Sequence, residues 1–256
     1  MSLFEELIED KDEDKKIIKS FKPKDSLSEQ IFDDSDNGFS MRDDVRKNLL
    51  KISNEFIDSL GVEFFIHDIV LTGSLANYNW SNYSDVDLHI LVDMDEMGGD
   101  DGKDSIALHT IVKEFFDAKK NVWNEKHNIK IKGYDVELYV QDIDEEHVSS
   151  GVYSVLNNKW IIEPDKIKSN IDDKMILQKS EEYIKKIDLL IKKSGPIEEI
   201  EELRKKLKEF RQSGLESGGE YSYENLTFKL LRRNGYIEKL LKLKTTLIDK
   251  KLSITQ

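Results

Sequence analysis

The sequence has no cysteine, which excludes disulfide cross-links and thiolate metal sites and fits a reducing compartment. It has no run of about eighteen apolar residues, so no membrane partner is expected. Its first ten residues, Met1-Ser-Leu-Phe-Glu-Glu-Leu-Ile-Glu-Asp10, lack the basic and apolar regions of a secretory signal, and a cytoplasmic location is the expectation. The five histidines show no metal-ligand spacing. Positive charge is also short. A net charge of −13 repels a phosphate backbone and argues against indiscriminate binding of DNA.

The distribution of charge says more than the total. From Asp165 onward 21 Lys plus Arg face 16 Asp plus Glu, a net +5, which leaves −18 for residues 1–164. A cation would bind in the acidic part. The mildly basic part could face a triphosphate or an RNA end, or be no more than the solvated faces of Lys-rich helices. With 256 residues and 38% apolar content, the chain can bury a substantial core in one or two domains.

The most informative stretch is Leu71-Thr-Gly-Ser-Leu-Ala-Asn-Tyr-Asn-Trp-Ser-Asn-Tyr-Ser-Asp-Val-Asp-Leu-His-Ile-Leu-Val92. A strand alternates its side chains, so Asp85 and Asp87 project from one face while Val86, Leu88, Ile90 and Val92 face a core. Two carboxylates side by side are costly unless a cation neutralises them, and hard oxygen ligands suit Mg²⁺. Gly73 lets backbone N–H groups approach a phosphate closely, and Ser74 adds a hydroxyl beside them. A Gly-Ser pair alone is only a turn, and an Asp-x-Asp alone is common on surfaces. Their conjunction is the signal.

At Gly73, Ser74, Asp85 and Asp87 the chain resembles the DNA polymerase β-type nucleotidyltransferases, whose signature is this turn followed after about ten residues by two acidic positions. Thr72 departs from the apolar residue usual before the Gly. The resemblance implies a third carboxylate on a neighbouring strand, and Tyr134-Asp-Val-Glu-Leu-Tyr-Val140 offers Asp135 and Glu137. Glu137 is preferred, because Val136 and Leu138 frame it, whereas Asp135 sits where the strand begins; a register slip of two residues would exchange them. The implied activity is transfer of a nucleoside monophosphate from an NTP to a hydroxyl, with release of pyrophosphate. It would use two Mg²⁺ or Mn²⁺ ions held by Asp85, Asp87 and Glu137. Gly73 and Ser74 would hold the distal phosphates, with Lys159, Lys229, Arg232 or Arg233 as cationic contacts, each of which could equally be a surface cation. The acceptor, whether an RNA end, a protein or a small molecule, is left open. A looser likeness, carried by Phe21-Lys-Pro23, Ile31-Phe-Asp33, Val45-Arg-Lys-Asn-Leu-Leu50 and Gly151-Val-Tyr-Ser154, is to predicted nucleotidyltransferases of tailed bacteriophages, which would place the protein in a host cytoplasm.

Residues 1–40 mix charge runs with the apolar islands Ile17-Ile18 and Ile31-Phe32 and suggest a flexible arm whose islands dock on the core. Residues 41–164 carry the catalytic core, an α/β fold with a small mixed sheet backed by helices. It would comprise a helix through Val45, Leu49, Ile52, Phe56 and Leu60, ended by Gly61; the acidic strands; a helix with Leu108, Ile111, Val112, Phe115, Phe116, Val122 and Trp123 on one face; and a hairpin turning at Asn157-Asn158. Asp93, Asp95, Gly98 and Asp104 imitate the spacing of a calcium loop, although a solvated connector is the better expectation. Residues 165–256 form a helical bundle, broken at Ser194-Gly-Pro196 and over Ser213–Gly219, with one long last helix from Tyr223. His89 shares the face of Asp85 and Asp87 and is expected to be structural; Tyr78, Trp80 and Tyr83 either pack under the loop or stack on a base. Two rivals stand beside the transferase: a terminal or template-directed polymerase, which needs a continuous basic groove, and a catalytically silent nucleotide-binding or assembly module.

Overall fold

The computed structural model describes residues 3–36, 38–96, 105–145, 149–167 and 171–254. Helix α1 (Leu3–Ser20) opens the chain. The chain divides into two compact units, Pro23–Ile167 and a second made of Met1–Lys22 with Lys168–Gln256.

The first unit begins with a hairpin, β1 (Phe32–Ser35) and β2 (Gly38–Met41), followed by helix α2 (Asp43–Leu60). Val45, Leu49, Phe56 and Leu60, four or seven residues apart, make one buried stripe on α2. Gly61 then stops the helix in a left-handed conformation at φ 70°, which a side chain disfavours. Six strands follow in one sheet: β3 (Asp68–Thr72), β4 (Val86–Val92), β5 (Lys130–Ile131), β6 (Tyr134–Asp142), β7 (Val152–Ser154) and β8 (Lys159–Ile162). Their spatial order is β5-β6-β4-β3-β7-β8. Among the described residues only β4 and β6 pair in parallel, and the helix α3 (Ser105–Lys126) between them supplies the long crossover that parallel pairing needs.

One face of this mixed sheet is the core. Leu71, Leu88 and Leu138 stand in register across β3, β4 and β6, with Ile69, Ile90 and Val140 in the next such row, and all are buried in one cluster with Phe56 of α2 and Phe116 of α3. On α3 the apolar stripe is narrower than the sequence suggests: Val112, Phe115, Phe116 and Trp123 pack against the core, whereas Ile111 and Val122 are exposed. The segment before α2 belongs to this unit. Ile31, Phe32 and Met41 are buried, Tyr153 accepts the Met41 N–H through its hydroxyl (3.1 Å), and Trp160 Nε1–H donates to the Phe39 carbonyl (2.8 Å). Asn158 takes φ 54° in the β7–β8 turn, as expected of Asn there.

The second unit is helical: α1 with α4 (Asp173–Lys193), α5 (Ile197–Gly218), α6 (Tyr223–Arg233) and α7 (Tyr236–Leu252). Residues 3–20, read from sequence as an arm, are helical because Ile17, Ile18 and Phe21 find a buried cluster with Ile176, Leu226 and Leu230. Tertiary burial stabilises a helix that its own period does not announce. Asp172 caps α4 by accepting the N–H groups of Lys174 and Met175, both at 3.1 Å. Ser213–Gly218, read as a break, continues α5. Gly214 is there for contact: a Cβ on it would lie 2.5 Å from the Glu224 Cβ, so its absence lets α6 approach. The last helix is instead split in two at Asn234-Gly235, where Gly235 has φ 71°. No helix among the described residues is long and apolar enough to cross a membrane.

On α6, burial pushes the Lys229 ammonium down to about 8, helped by repulsion from Arg233, Arg232 and Arg211 and opposed by Glu220. Below pH 8 both the folded and unfolded chains hold this proton, so the native state bears the full cost of the charge. Between pH 8 and the usual lysine value of 10.5 the unfolded chain alone keeps it, so stability rises with pH across that window. The shift alone corresponds to roughly 3 kcal/mol, and since part of the side chain keeps solvent access we expect roughly 1–2 kcal/mol. Lys229→Met should therefore be more stable than the parent by about that amount at pH 7. Urea melts of the two proteins should converge as the pH approaches 10.5.

Candidate active site

The sheet's second face carries the polar groups. Thr72, Asp87 and Glu137 stand in register on β3, β4 and β6, so their side chains share this face in one row. The next row is Val70, His89 and Tyr139, and the one after is Asp68, Leu91 and Gln141. Asp85 lies just before β4, two residues from Asp87, and both are half-buried, as is Glu137. In a parallel pair, residues in register stand on strands about 4.8 Å apart, which sets two carboxylates beside each other at Asp87 and Glu137. Asp135 is exposed and forms an ion pair with Lys130 of β5 at 2.5 Å.

The Gly-Ser turn closes on this row. Gly73 has φ 71° and ψ −158°, a conformation that side chains disfavour, and a Cβ there would lie 1.9 Å from Asp87 Oδ2. The missing side chain is thus what lets the turn's backbone sit against the Asp87 carboxylate. Ser74 starts a short 3₁₀ turn and its Oγ–H donates to Ser84 Oγ (2.7 Å), while Ser84 Oγ also accepts the Ser81 N–H (2.9 Å). Ser84 immediately precedes Asp85, so the ten residues between Ser74 and Asp85 form a loop tied shut at its base. From outside, Ser149 Oγ accepts the Gly73 N–H (3.2 Å) and donates to the Gly151 carbonyl (2.9 Å), and Asn77 Nδ2 donates to Ser150 Oγ. These serines had no signature in the sequence, because nothing local marks residues 76 positions apart as neighbours.

Two of the three loop aromatics pack inward. Tyr78 and Trp80 lie against the main core, with Trp80 Nε1–H donating to the Ser26 carbonyl at 2.9 Å, and only Tyr83 is largely exposed. His89 is held by Gln141, Nδ1 to Oε1 2.7 Å, and stacks on the Tyr139 ring at 4.8 Å. Since Gln141 Nε2 donates to the Glu145 carbonyl (3.1 Å), its Oε1 is an acceptor, and His89 Nδ1 carries the proton.

Lys159 opens β8 in register with Ser154 and Val70, on the same sheet face but three strands from Asp87, about 14 Å at ordinary strand spacing. Lys229, Arg232 and Arg233 lie on α6 of the helical unit. Of the calcium-like loop, Gly98 and Asp104 lie outside the described residues; Asp93 Oδ1 accepts the N–H groups of Asp95 and Glu96, both at 3.0 Å. Among the described residues, His67, Asp93 and Glu96 bring one ligand atom each within 4.8 Å of one another, at the opposite end of the β3–β4 pair from Gly73.

Residues 50–216 match the family model described as "Nucleotidyltransferase domain". No curated protein and no solved structure matches the chain.

Gly73→Ala is expected to cost about 1–3 kcal/mol from strain and to displace the Asp87 carboxylate. With Asp87 expected to hold a divalent cation, the displacement should appear as about a tenfold loss of Mn²⁺ affinity by titration. Gly38→Ala, at φ 93° with nothing within 4 Å, should lower stability alone and leave that affinity unchanged.

Proposed function

The chain belongs to the nucleotidyltransferase domain family and is a transferase of nucleoside monophosphates, and from that premise we propose that its transfer is metal-dependent and rests on Asp85, Asp87 and Glu137. The observation that carries this reading is the parallel register of Asp87 with Glu137, against a turn whose Gly73 leaves room for the Asp87 carboxylate. The donor set consists of hard, anionic oxygens on adjoining strands, which fits Mg²⁺ or Mn²⁺. Such ions, once bound, neutralise charge on the triphosphate and make an acceptor hydroxyl a better nucleophile.

The chain's own groups then bind and orient. Asp85 and Asp87 fix the site at the mouth of the closed loop, and Glu137 completes it from β6. Ser74 and the Gly-Ser backbone face the distal phosphates, and binding would exchange the Ser74 bond to Ser84 and the Gly73 bond to Ser149 for bonds to phosphate oxygens, neutral donors that do not collapse onto the carboxylates. The acceptor oxygen attacks the α-phosphorus, a new O–P bond forms, the bond to the bridging oxygen breaks with its electron pair, and pyrophosphate leaves. The hydroxyl proton passes to solvent. Asp135 is given no part, because Lys130 already engages its carboxylate.

Asp87→Ala should abolish pyrophosphate release while leaving the melting temperature unchanged or slightly higher, since it removes repulsion between neighbouring carboxylates. Glu137→Gln should lower turnover by at least a hundredfold, and Asp135→Asn by less than threefold, on the general footing that mispositioned charge at the reacting centre costs orders of magnitude. Full turnover of Asp87→Ala at saturating Mg²⁺ would sink the assignment. Loss in Asp135→Asn with none in Glu137→Gln would move the third carboxylate by two positions.

A further inference from the structure

Next to the proposed carboxylates the sheet face carries a second row that the transfer chemistry does not use, His89 on β4 in register with Tyr139 on β6. The Tyr139 hydroxyl donates to Glu137 Oε2 at 2.5 Å, a short bond of the charge-assisted kind. The Tyr139 ring is itself fixed on two sides: the His89 imidazole stacks on it at 4.8 Å and 27°, and the Lys120 ammonium lies over it at 4.8 Å. His89 is anchored in turn by Gln141, and Gln141 by the Glu145 backbone. A chain of contacts therefore runs from the backbone at Glu145 to one named oxygen of Glu137.

We propose that Tyr139 is a positioning residue for Glu137, holding Oε2 so that Oε1 alone is presented to a divalent cation. This rests on the reading of Glu137 as a ligand. A glutamate has three rotatable bonds and can otherwise swing or chelate through both oxygens; a hydroxyl on one oxygen removes both freedoms without adding charge. Partners of this kind, behind a metal ligand, typically change metal affinity or activity by about ten- to a hundredfold when removed. Tyr139→Phe removes the hydroxyl's bond to Glu137 while the stack with His89 and the contact with Lys120 survive.

The test uses the full chain without nucleotide, titrated with Mn²⁺ and followed by the electron paramagnetic resonance signal of the free ion. Tyr139→Phe should bind Mn²⁺ about tenfold more weakly than the parent, with an unchanged melting temperature, and Glu137→Gln should lose more. In the Glu137→Gln background, adding Tyr139→Phe should have no further effect, since the hydroxyl then has no carboxylate to hold; a general structural role would lower affinity in both backgrounds. With nucleotide present, kcat should fall and KM should stay within about twofold. Parental affinity in Tyr139→Phe beside a loss in Glu137→Gln overturns the role of Tyr139 and leaves the ligand reading standing. Parental affinity in both overturns the ligand reading and this inference with it, and equal losses in both backgrounds overturn the positioning role.

Discussion

The parallel pairing of β4 with β6 is the constraint on which the rest of the site depends. It sets Asp87 opposite Glu137 and, by the two-residue alternation of strands, sends Leu88 and Leu138 to the core on the other side. A one-residue slip would bury the carboxylates and expose the leucines. The apolar row that stabilises the sheet therefore also fixes the acidic row above it. Parallel pairing requires a crossover, and α3 provides it while burying Phe116 against the same core.

A second constraint is steric. The Gly73 turn sits against Asp87 because no Cβ intervenes, and the loop from Ser74 to Ser84 is tied at its base by a hydroxyl pair. The spacing of ten residues between the two motifs is thus the length of a closed loop whose aromatics, Tyr78 and Trp80, face the core and leave its mouth to Asp85. Serines at 84, 149 and 150 make the surroundings of the turn neutral and rich in hydroxyl groups, each accepting a hydrogen bond from the turn or its loop.

Much of this was legible from the sequence where the signal is local. Alternation identified the acidic strands, the 3–4 spacing identified α2, Gly61 marked its end, and Asn157-Asn158 marked the hairpin turn. Non-local features were not legible. Tyr139, Gln141 and Ser149 matter through neighbours that only the fold supplies, and helix α1 is stabilised by Ile176, Leu226 and Leu230, more than 150 residues away. Glycine was misread in both directions: Gly214 serves close packing inside α5, whereas Gly235 ends a helix expected to continue. The same residue type answers two demands, absence of a side chain and freedom of φ, and a sequence alone does not separate them.

The central claim is that this sheet face transfers a nucleoside monophosphate, and one assay tests it most directly. The full chain is incubated with each α-labelled nucleoside triphosphate and Mg²⁺ or Mn²⁺, in the presence of RNA, protein and small-molecule hydroxyl acceptors, and label and pyrophosphate are followed together. Label should move to one acceptor class with one pyrophosphate released per label transferred, and neither should occur without the metal. Absence of both label transfer and pyrophosphate release with every nucleotide and either metal would contradict it.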